Sequence, residues 1–434
     1  MGGHAFEQAV SRDGTGSRLS TPRMNPNDYH QLKSIYLERL KAFLPEHQIE
    51  TLLEAPEKVD YGDMDFIIAS DEKVDLLQLA QSIGARAIII TGNDKVQRCT
   101  LAVQKDGSKS VASVEEYKVT KSPPADSGPL ESDLSQVDIE ILPSEIFRWH
   151  MFYASYSDLA GLLGKIARPL GFTITDKGLF LRLQELDESK DMSWLRIADA
   201  EGFLHLSSNP DEIMRFFGLD QKRYYKGFTT LEDFYRWLAD CRFLSPEVVD
   251  IKRDNSSERQ KERKRPVYTR FFDEYLPKHF GISEEKSDEV APDSGFDHKE
   301  PDFTAKRAQY LQEALMTFDK QHEYGPLHES LVLSIKNQTA EYLVKPLVAA
   351  ASGKQGKGLT EILRSFRRWI IIDGDGRAEV AEKPHTDQEA QLHRWLGEDG
   401  AELRDEDGVR KWIEMHWDEV RSCERHRGKV GRME

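Results

Sequence analysis

Hydrophobic residues between positions 25 and 44 recur at steps of three, four or seven, which is the spacing of one face of an amphipathic helix. The residues on this face are Tyr29, Leu32, Ile35, Tyr36, Leu40 and Phe43. Asn25 or Asn27 is suited to cap the start of the helix, and Pro45 is expected to end it. The preceding stretch, residues 1–23, is rich in Gly, Ser and Arg and by composition is typical of a flexible leader.

From residue 59 onwards the hydrophobic period shortens to two, which predicts a β-strand. Asp63 and Asp65 alternate there with Met64 and lead into the apolar run 66–69. The pattern that follows predicts a helix at 74–83, a hairpin of 87–90 with 96–103, a loop or insertion at 104–134, a strand at 136–142 and a helix at 146–167. Strands and helices interleaved in this way indicate a mixed-sheet first lobe.

A chain of 434 residues is long enough for more than one domain. We predict an α+β protein in which the mixed-sheet lobe is followed by a mainly helical region. The predicted segments are the first lobe at 1–185, a helical domain packed on it at 186–280, an acidic linker at 281–302 and a helical C-terminal region at 303–434.

The overall charge narrows the possible partners. The formal net charge is -16, which argues against broad, sequence-independent adhesion to nucleic acid but leaves a local basic groove open. No apolar stretch in the sequence approaches the length of a membrane span, so we expect no membrane partner. The three cysteines are too far apart in sequence to suggest a disulfide framework or a CxxC metal site, which favours a cytoplasmic or nuclear protein.

The candidate chemistry lies in two predicted strands. Successive side chains of a strand point to opposite faces, so Asp63 and Asp65 share one face while Met64 enters the core. Two adjacent carboxylates repel each other unless a hard cation such as Mg²⁺ or Mn²⁺ lies between them. The strand at 136–142 also alternates, and if it pairs beside the first, Asp138 completes a three-carboxylate cluster that suits a two-metal mechanism. A solvent-facing edge strand is the alternative.

Binding an NTP also requires hydrogen-bond donors and cations for the phosphates. Gly2 and Gly3 are candidates to supply backbone amides, and Arg23 and Lys58 are candidates to supply positive charge. Two further candidates are Gly62, which permits close approach of a ligand or of backbone, and Lys165, on the helix after the third acid.

These residues together resemble the nucleotidyltransferase superfamily, which includes DNA polymerase beta, poly(A) polymerases and CCA-adding enzymes. The resemblance rests on three sequence features. These are a Gly-Gly pair, a Gly-Asp-x-Asp motif that leads into an apolar strand, and a later hydrophobic-Asp-hydrophobic strand. Asp63 and Asp65 match the paired acids of the family, and Asp138 matches the third acid. Gly2 and Gly3 match the glycine turn. The resemblance implies a mixed sheet with flanking helices, a glycine turn that holds nucleotide phosphates, and Mg²⁺ on the three acids.

The spacing departs from the family pattern. About sixty residues separate Gly3 from Asp63, whereas a short helix usually joins the glycine turn to the acid pair in the family. Either the helix at 25–44 is an insertion, or the N-terminal glycines have another role. The order Gly-Gly-x-Ala-Phe, Thr-Pro-Arg and Gly-Asp-x-Asp is also similar to that of fungal and large-virus members, which favours an insertion.

The sequence therefore supports a hypothesis of metal-dependent transfer of a nucleoside monophosphate from an NTP to an unknown hydroxyl acceptor. RNA ends, small molecules and proteins all stay open as acceptors. One alternative is a catalytically inactive scaffold of the same fold that binds a nucleotide or a protein. In that case the charged segment at 252–265 would serve as a docking surface, unless it is a solvated linker. Another alternative is a helical module at 186–434 that binds a protein partner through the C-terminal helices.

Overall fold

A computed structural model describes residues 3–13, 17–93, 95–110, 113–120, 130–188, 192, 194–197, 199–249, 265–281, 303–386 and 389–430. The chain divides into two compact units, one formed by Met1–Leu179 with Ser207–Tyr310 and the other by Phe180–Leu206 with Leu311–Glu434. The predicted acidic linker, apart from Gly281, and the charged segment, apart from Arg265, lie outside the described residues. The four-segment division stays a prediction.

The first unit is built on a seven-stranded mixed sheet with the strand order β1-β7-β5-β6-β9-β4-β3. The strands are β1 (Ala9–Ser11), β3 (Gln48–Thr51), β4 (Asp63–Ala69), β5 (Ala87–Gly92), β6 (Gln97–Gln104), β7 (Glu115–Val119) and β9 (Leu134–Leu142), while β2 (Arg18–Leu19) and β8 (Leu130–Glu131) form a separate parallel pair. The predicted α+β class, with a mixed sheet and a helical C-terminal region, is confirmed.

Helices flank this sheet within the first unit. Those of the first unit are α1 (Pro26–Phe43), α2 (Leu76–Ile83), α3 (Ser144–Ala154), α4 (Leu159–Ala167), Pro210–Phe217, Gln221–Lys226, Leu231–Ala239, Pro246–Val249, Pro266–Arg270 and Leu276–Phe280, with the strand Phe172–Thr175 after α4. Asn25 caps α1 by accepting a hydrogen bond from the backbone N–H of Asp28, as the sequence predicts. None of the helices in the described ranges combines the length and the apolar composition that crossing a membrane requires.

The alternation of side chains gives the sheet two different faces. One face is apolar and is covered by α1 and α2, and its buried strand residues are Ile49, Met64, Phe66, Ile68, Ile88, Cys99, Leu101, Val103, Val137, Ile139 and Ile141. The opposite face carries the acids. Along β9 this second face runs from Leu134, in an apolar cluster with Phe6, through Asp138 to Leu142, in another cluster with Phe147. The acids thus lie in a polar strip between two buried apolar patches.

The segment 1–23, whose composition alone is typical of a flexible leader, contributes a strand to the sheet, and so does the predicted loop or insertion at 104–134. Strand β7 falls within the second segment and pairs with β5 and with β1, which falls within the first. The rings of Phe6 and Tyr117 also meet edge to face, with 5.8 Å between centroids. Sheet pairing between distant segments outweighs their polar composition, because it satisfies backbone groups that local propensity does not count.

The helical stretch predicted at 146–167 is helical over most of its length but is divided into α3 and α4. The helical backbone is interrupted between α3 and α4 at Tyr156 and Ser157. Their φ angles of 55° and 63° lie in the left-handed region. The N–H of Tyr156 donates to the carbonyl of Leu53 at 2.7 Å, and its hydroxyl donates to the carbonyl of Tyr224 at 2.8 Å. These long-range hydrogen bonds hold a conformation that helix propensity disfavours.

The second unit has its own core. Its elements are the strands Gly178–Arg182 and Phe203–Ser207, the short helices Gln184–Glu188 and Asp199–Gly202, the long helices Gln321–Ser352, Gly356–Trp369 and Glu406–Val430, and the hairpin of Ile370–Ile372 with Ala378–Val380. The helix Thr304–Thr317 spans the division between the units. Phe366, Trp395 and Ile413 are among the buried residues of this core. Glu424 accepts hydrogen bonds from Arg368 at 3.0 Å and from the indole of Trp369 at 2.9 Å.

Candidate metal centre

The pairing of β4 with β9 brings the three predicted acids together. The two strands are parallel neighbours, and their register sets Asp65 opposite Asp138 and Asp63 opposite Gln136. One carboxylate oxygen from each of Asp63, Asp65 and Asp138 lies within 4.8 Å of the others. Met64 is 0% exposed on the other face, as the alternation predicts. The local sequence therefore places two acids on one strand, and the sheet supplies the third.

The electrostatics of this cluster are unfavourable for three negative charges. Burial, with the charges of Asp63 and Asp138, raises the pKa of Asp65 to about 8. Burial and the charge of Asp63 raise the pKa of Asp138 to about 6, against the opposing effect of hydrogen bonds from Thr100 and Gln136. Half-buried carboxylates that repel one another are the donor set that a hard divalent cation neutralises. The residues present thus fit Mg²⁺ or Mn²⁺.

This arrangement predicts how stability depends on pH without metal. In the folded state Asp65 and Asp138 keep their protons to higher pH than in the unfolded chain, so their contribution to stability is greatest at low pH and is lost as pH rises through their folded pKa values. We expect the melting temperature of Asp65→Asn to exceed that of the wild type by a margin that grows between about pH 5 and about pH 9 in a chelating buffer. Mg²⁺ should reduce this margin. A margin that is constant with pH would contradict the electrostatic account.

The N-terminal glycine turn lies against the first acid-bearing strand. Gly3 has a φ of 97°, and a Cβ added there would stand 2.6 Å from the carbonyl oxygen of Gly62. The hydroxyl of Thr21 donates to the carbonyl of Gly3 at 2.9 Å, and Met24 pairs with Tyr61 through two backbone hydrogen bonds. Gly62, which the sequence singles out for close approach, therefore packs against Gly3. The other candidate glycine, Gly2, lies outside the described residues.

The two candidate cations at the acids are each paired with another carboxylate. Arg23 donates to Asp60 at 2.8 Å; this hydrogen bond raises the pKa of the guanidinium, and the charge of Asp63 adds to the effect. Lys58 donates to Glu54 at 2.5 Å, and its positive charge opposes the rise in the pKa of Asp65. Both side chains thus lie near enough to the acids to act on them electrostatically.

Glu54 belongs to a group of residues that the sequence does not single out as a site. Lys33 and Lys58 both form ion pairs with it, at 3.5 and 2.5 Å, and the hydroxyl of Tyr29 donates to it. Burial opposes the ionisation of Glu54, but Lys58, Tyr29 and Lys33 together lower its pKa. The ring of Tyr29 stacks on Tyr61, with 3.7 Å between centroids. The apolar positions of α1 predict that Tyr29 is buried. They do not predict that Lys33 pairs with Glu54.

Other candidates fall beside the cluster or away from it. Lys165 lies in the last turn of α4, and no hydrogen bond or ion pair joins it to the acids within the described residues. Glu140 follows Asp138 on the same face of β9 and pairs with Arg98 at 2.9 Å and His150 at 3.2 Å. Strict alternation in β9 predicts the position of Glu140, while its partners come from β6 and α3.

Comparison with known proteins assigns the chain to no family. No protein-family profile matches it, and no similar sequence is found among curated proteins.

Proposed function

We propose that this chain is a divalent-metal-dependent nucleotidyltransferase that transfers a nucleoside monophosphate from an NTP to a hydroxyl acceptor. One observation carries the proposal: three carboxylates on two adjacent parallel strands converge within 4.8 Å beside a positive-φ glycine turn. The three acids alone would fit many cations and do not by themselves indicate a nucleotide. A glycine turn packed against Gly62, the residue before the acid-bearing strand, supports the nucleotide reading, because turns of this kind can offer backbone N–H groups to a polyanion.

The proposed roles follow from the chemistry of each group. Asp63, Asp65 and Asp138 hold Mg²⁺ or Mn²⁺, which when bound neutralises the charge of the triphosphate. When the NTP binds, Arg23 gives up part of its ion pairing with Asp60 and contacts the phosphates instead. Lys58 does the same with its partner Glu54. In the reaction the acceptor hydroxyl gives its proton to solvent and its oxygen forms a bond to the α-phosphorus. The bond from that phosphorus to the pyrophosphate breaks, and the pyrophosphate leaves. The class of acceptor stays open.

The direct test offers the purified chain each α-labelled NTP in turn, with Mg²⁺ or Mn²⁺ and total RNA. We expect label in an acid-stable product together with one pyrophosphate released per transfer. Labelled RNA would identify a nucleic-acid acceptor, whereas labelled protein or a labelled small molecule would identify the other classes. Absence of both label transfer and pyrophosphate release with every NTP would contradict the proposal.

Lys58 provides a further test. Lys58→Met should raise the KM for the NTP about tenfold with little change in kcat, because a charge-assisted contact to a phosphate that persists through the reaction contributes equally to both states. Lys41→Met is the matched control, since Lys41 is an exposed lysine in the last turn of α1. Steady-state kinetics at fixed ionic strength measure the difference. An equal KM for the two variants would exclude Lys58 from the phosphate site.

A further inference from the structure

The side chain of Gln136 links the two halves of the candidate site. It is 3% exposed and lies two residues before Asp138 on the same face of β9. Its Nε2 donates to Oδ1 of Asp138 at 3.1 Å and to Oδ2 at 3.0 Å. Its Oε1 accepts from the backbone N–H of Ala5 at 3.2 Å. One amide therefore contacts both the third carboxylate and the N-terminal turn.

The orientation of this amide is fixed by its partners. A backbone N–H can only donate, so the oxygen of Gln136 must face Ala5 and the NH₂ must face Asp138. A buried donor and acceptor that are both satisfied are costly to disrupt, because each loses its partner without gaining water. Gln136 thus has one low-energy arrangement, and this arrangement needs both Ala5 and Asp138 in place.

The contact also holds the carboxylate of Asp138 in a defined direction. Both oxygens of the carboxylate accept from the same NH₂ group of Gln136. Thr100 is the register partner of Asp138 on β6, the other neighbouring strand.

We propose that Gln136 is a positioning residue that couples the N-terminal glycine turn to the metal-binding carboxylates. The inference rests on the proposed function, and it adds that metal and nucleotide binding share one structural link. Groups that orient metal ligands typically affect metal affinity by about 10- to 100-fold. Ala5 lies two residues after Gly3, so the bond from its N–H also fixes the turn that is proposed to meet the phosphates.

Two substitutions disturb this link from its two ends. Gln136→Met keeps the length of the side chain but removes both contacts. Ala5→Pro fits the φ of -61° at this position, but it removes the N–H of Ala5 and puts the ring Cδ in the place of its hydrogen, so the Oε1 of Gln136, 3.2 Å from that nitrogen, has to move away. Gln97→Met is the matched control, because Gln97 lies in the neighbouring strand β6 and its amide bridges the N–H and the carbonyl of Val74, both at 2.9 Å.

The probes are Mn²⁺ alone, followed by electron paramagnetic resonance, and a non-hydrolysable ATP analogue in the presence of Mg²⁺. We expect Gln136→Met to weaken binding of both probes by about tenfold or more. Ala5→Pro should also weaken both probes, because the displaced amide no longer orients Asp138. Mn²⁺ affinity that is unchanged in Ala5→Pro would show that the turn is not coupled to the carboxylates. The control Gln97→Met should lower the melting temperature without changing either affinity.

The inference is overturned if Gln136→Met binds both probes as the control does, or if Ala5→Pro leaves binding of the ATP analogue unchanged. If Gln136→Met fails to fold, Ala5→Pro decides the question alone. Asp65→Asn distinguishes this failure from failure of the proposed function. If Asp65→Asn loses Mn²⁺ while Gln136→Met keeps it, only the role of Gln136 is wrong, whereas Mn²⁺ binding unchanged in Asp65→Asn would remove the metal site itself.

Discussion

Replacing Asp63 and Asp65 together by asparagine is expected to abolish transfer from the NTP, with a loss of kcat on the order of 10²- to 10³-fold or more. The double variant leaves Asp138 as the only carboxylate of the cluster, and one carboxylate does not hold a hard divalent cation tightly. Radiolabel transfer and Mn²⁺ affinity, measured on the same preparation, test this expectation.

The same substitution should stabilise the metal-free protein. Amide groups remove the repulsion that raises the pKa of Asp65 and Asp138, and their NH₂ groups offer donors to the remaining acid. We expect a gain of about 1–2 kcal/mol, which corresponds to a rise of roughly 2–6 °C in melting temperature. Asp375→Asn is the control, because Asp375 is an exposed residue of a turn in the second unit. Retention of transfer and Mn²⁺ affinity at the level of Asp375→Asn would contradict the metal centre.

Gly3→Ala is expected to lower kcat/KM for the NTP on the order of 10²-fold, because a displacement of about 1 Å in a substrate-binding element has an effect of this size. Alanine at position 3 is strained by the φ of 97°, and its Cβ would overlap the backbone of Gly62. The turn must therefore move away from β4 or the start of β4 must shift. The strain should also lower the free energy of unfolding by about 1–3 kcal/mol.

Gly281→Ala separates the steric effect from the strain. Gly281 also has a positive φ, of 65°, but a Cβ added there meets no atom of the described residues within 4 Å. We expect Gly281→Ala to reduce stability in thermal melts while leaving kcat/KM unchanged. If Gly3→Ala retains the kcat/KM of Gly281→Ala, the N-terminal turn has no part in binding the NTP.

The acid cluster shows which features of the candidate site the local sequence pattern can predict. Alternation predicts that Asp63 and Asp65 share a face and that Asp138 lies on an alternating strand, and both features are present. That β4 and β9 are neighbours does not follow from either strand alone. Sheet order depends on pairing over long sequence distances, which a single sequence pattern does not encode.

The N-terminal turn and some of the hydrogen-bonded groups around the acids are features that the sequence pattern does not predict. Gly3 meets Gly62 across about sixty residues of sequence, and the three-residue strand β1, the first strand of this N-terminal segment, is too short to give a periodic signal. Gln136 does have a signal, because the alternation that places Asp138 on one face also places Gln136 there. Glu54 has none, because its partners come from α1 and from its own loop.

The most direct measurement of the central claim is a titration of Mn²⁺ into the wild type and into Asp65→Asn, with and without a non-hydrolysable ATP analogue, followed by electron paramagnetic resonance. We predict that the wild type binds Mn²⁺ and that the ATP analogue tightens this binding. Asp65→Asn should bind neither probe above background. Equal Mn²⁺ binding by the two proteins, or Mn²⁺ affinity that the ATP analogue does not change, would contradict a nucleotide-binding metal centre at Asp63, Asp65 and Asp138.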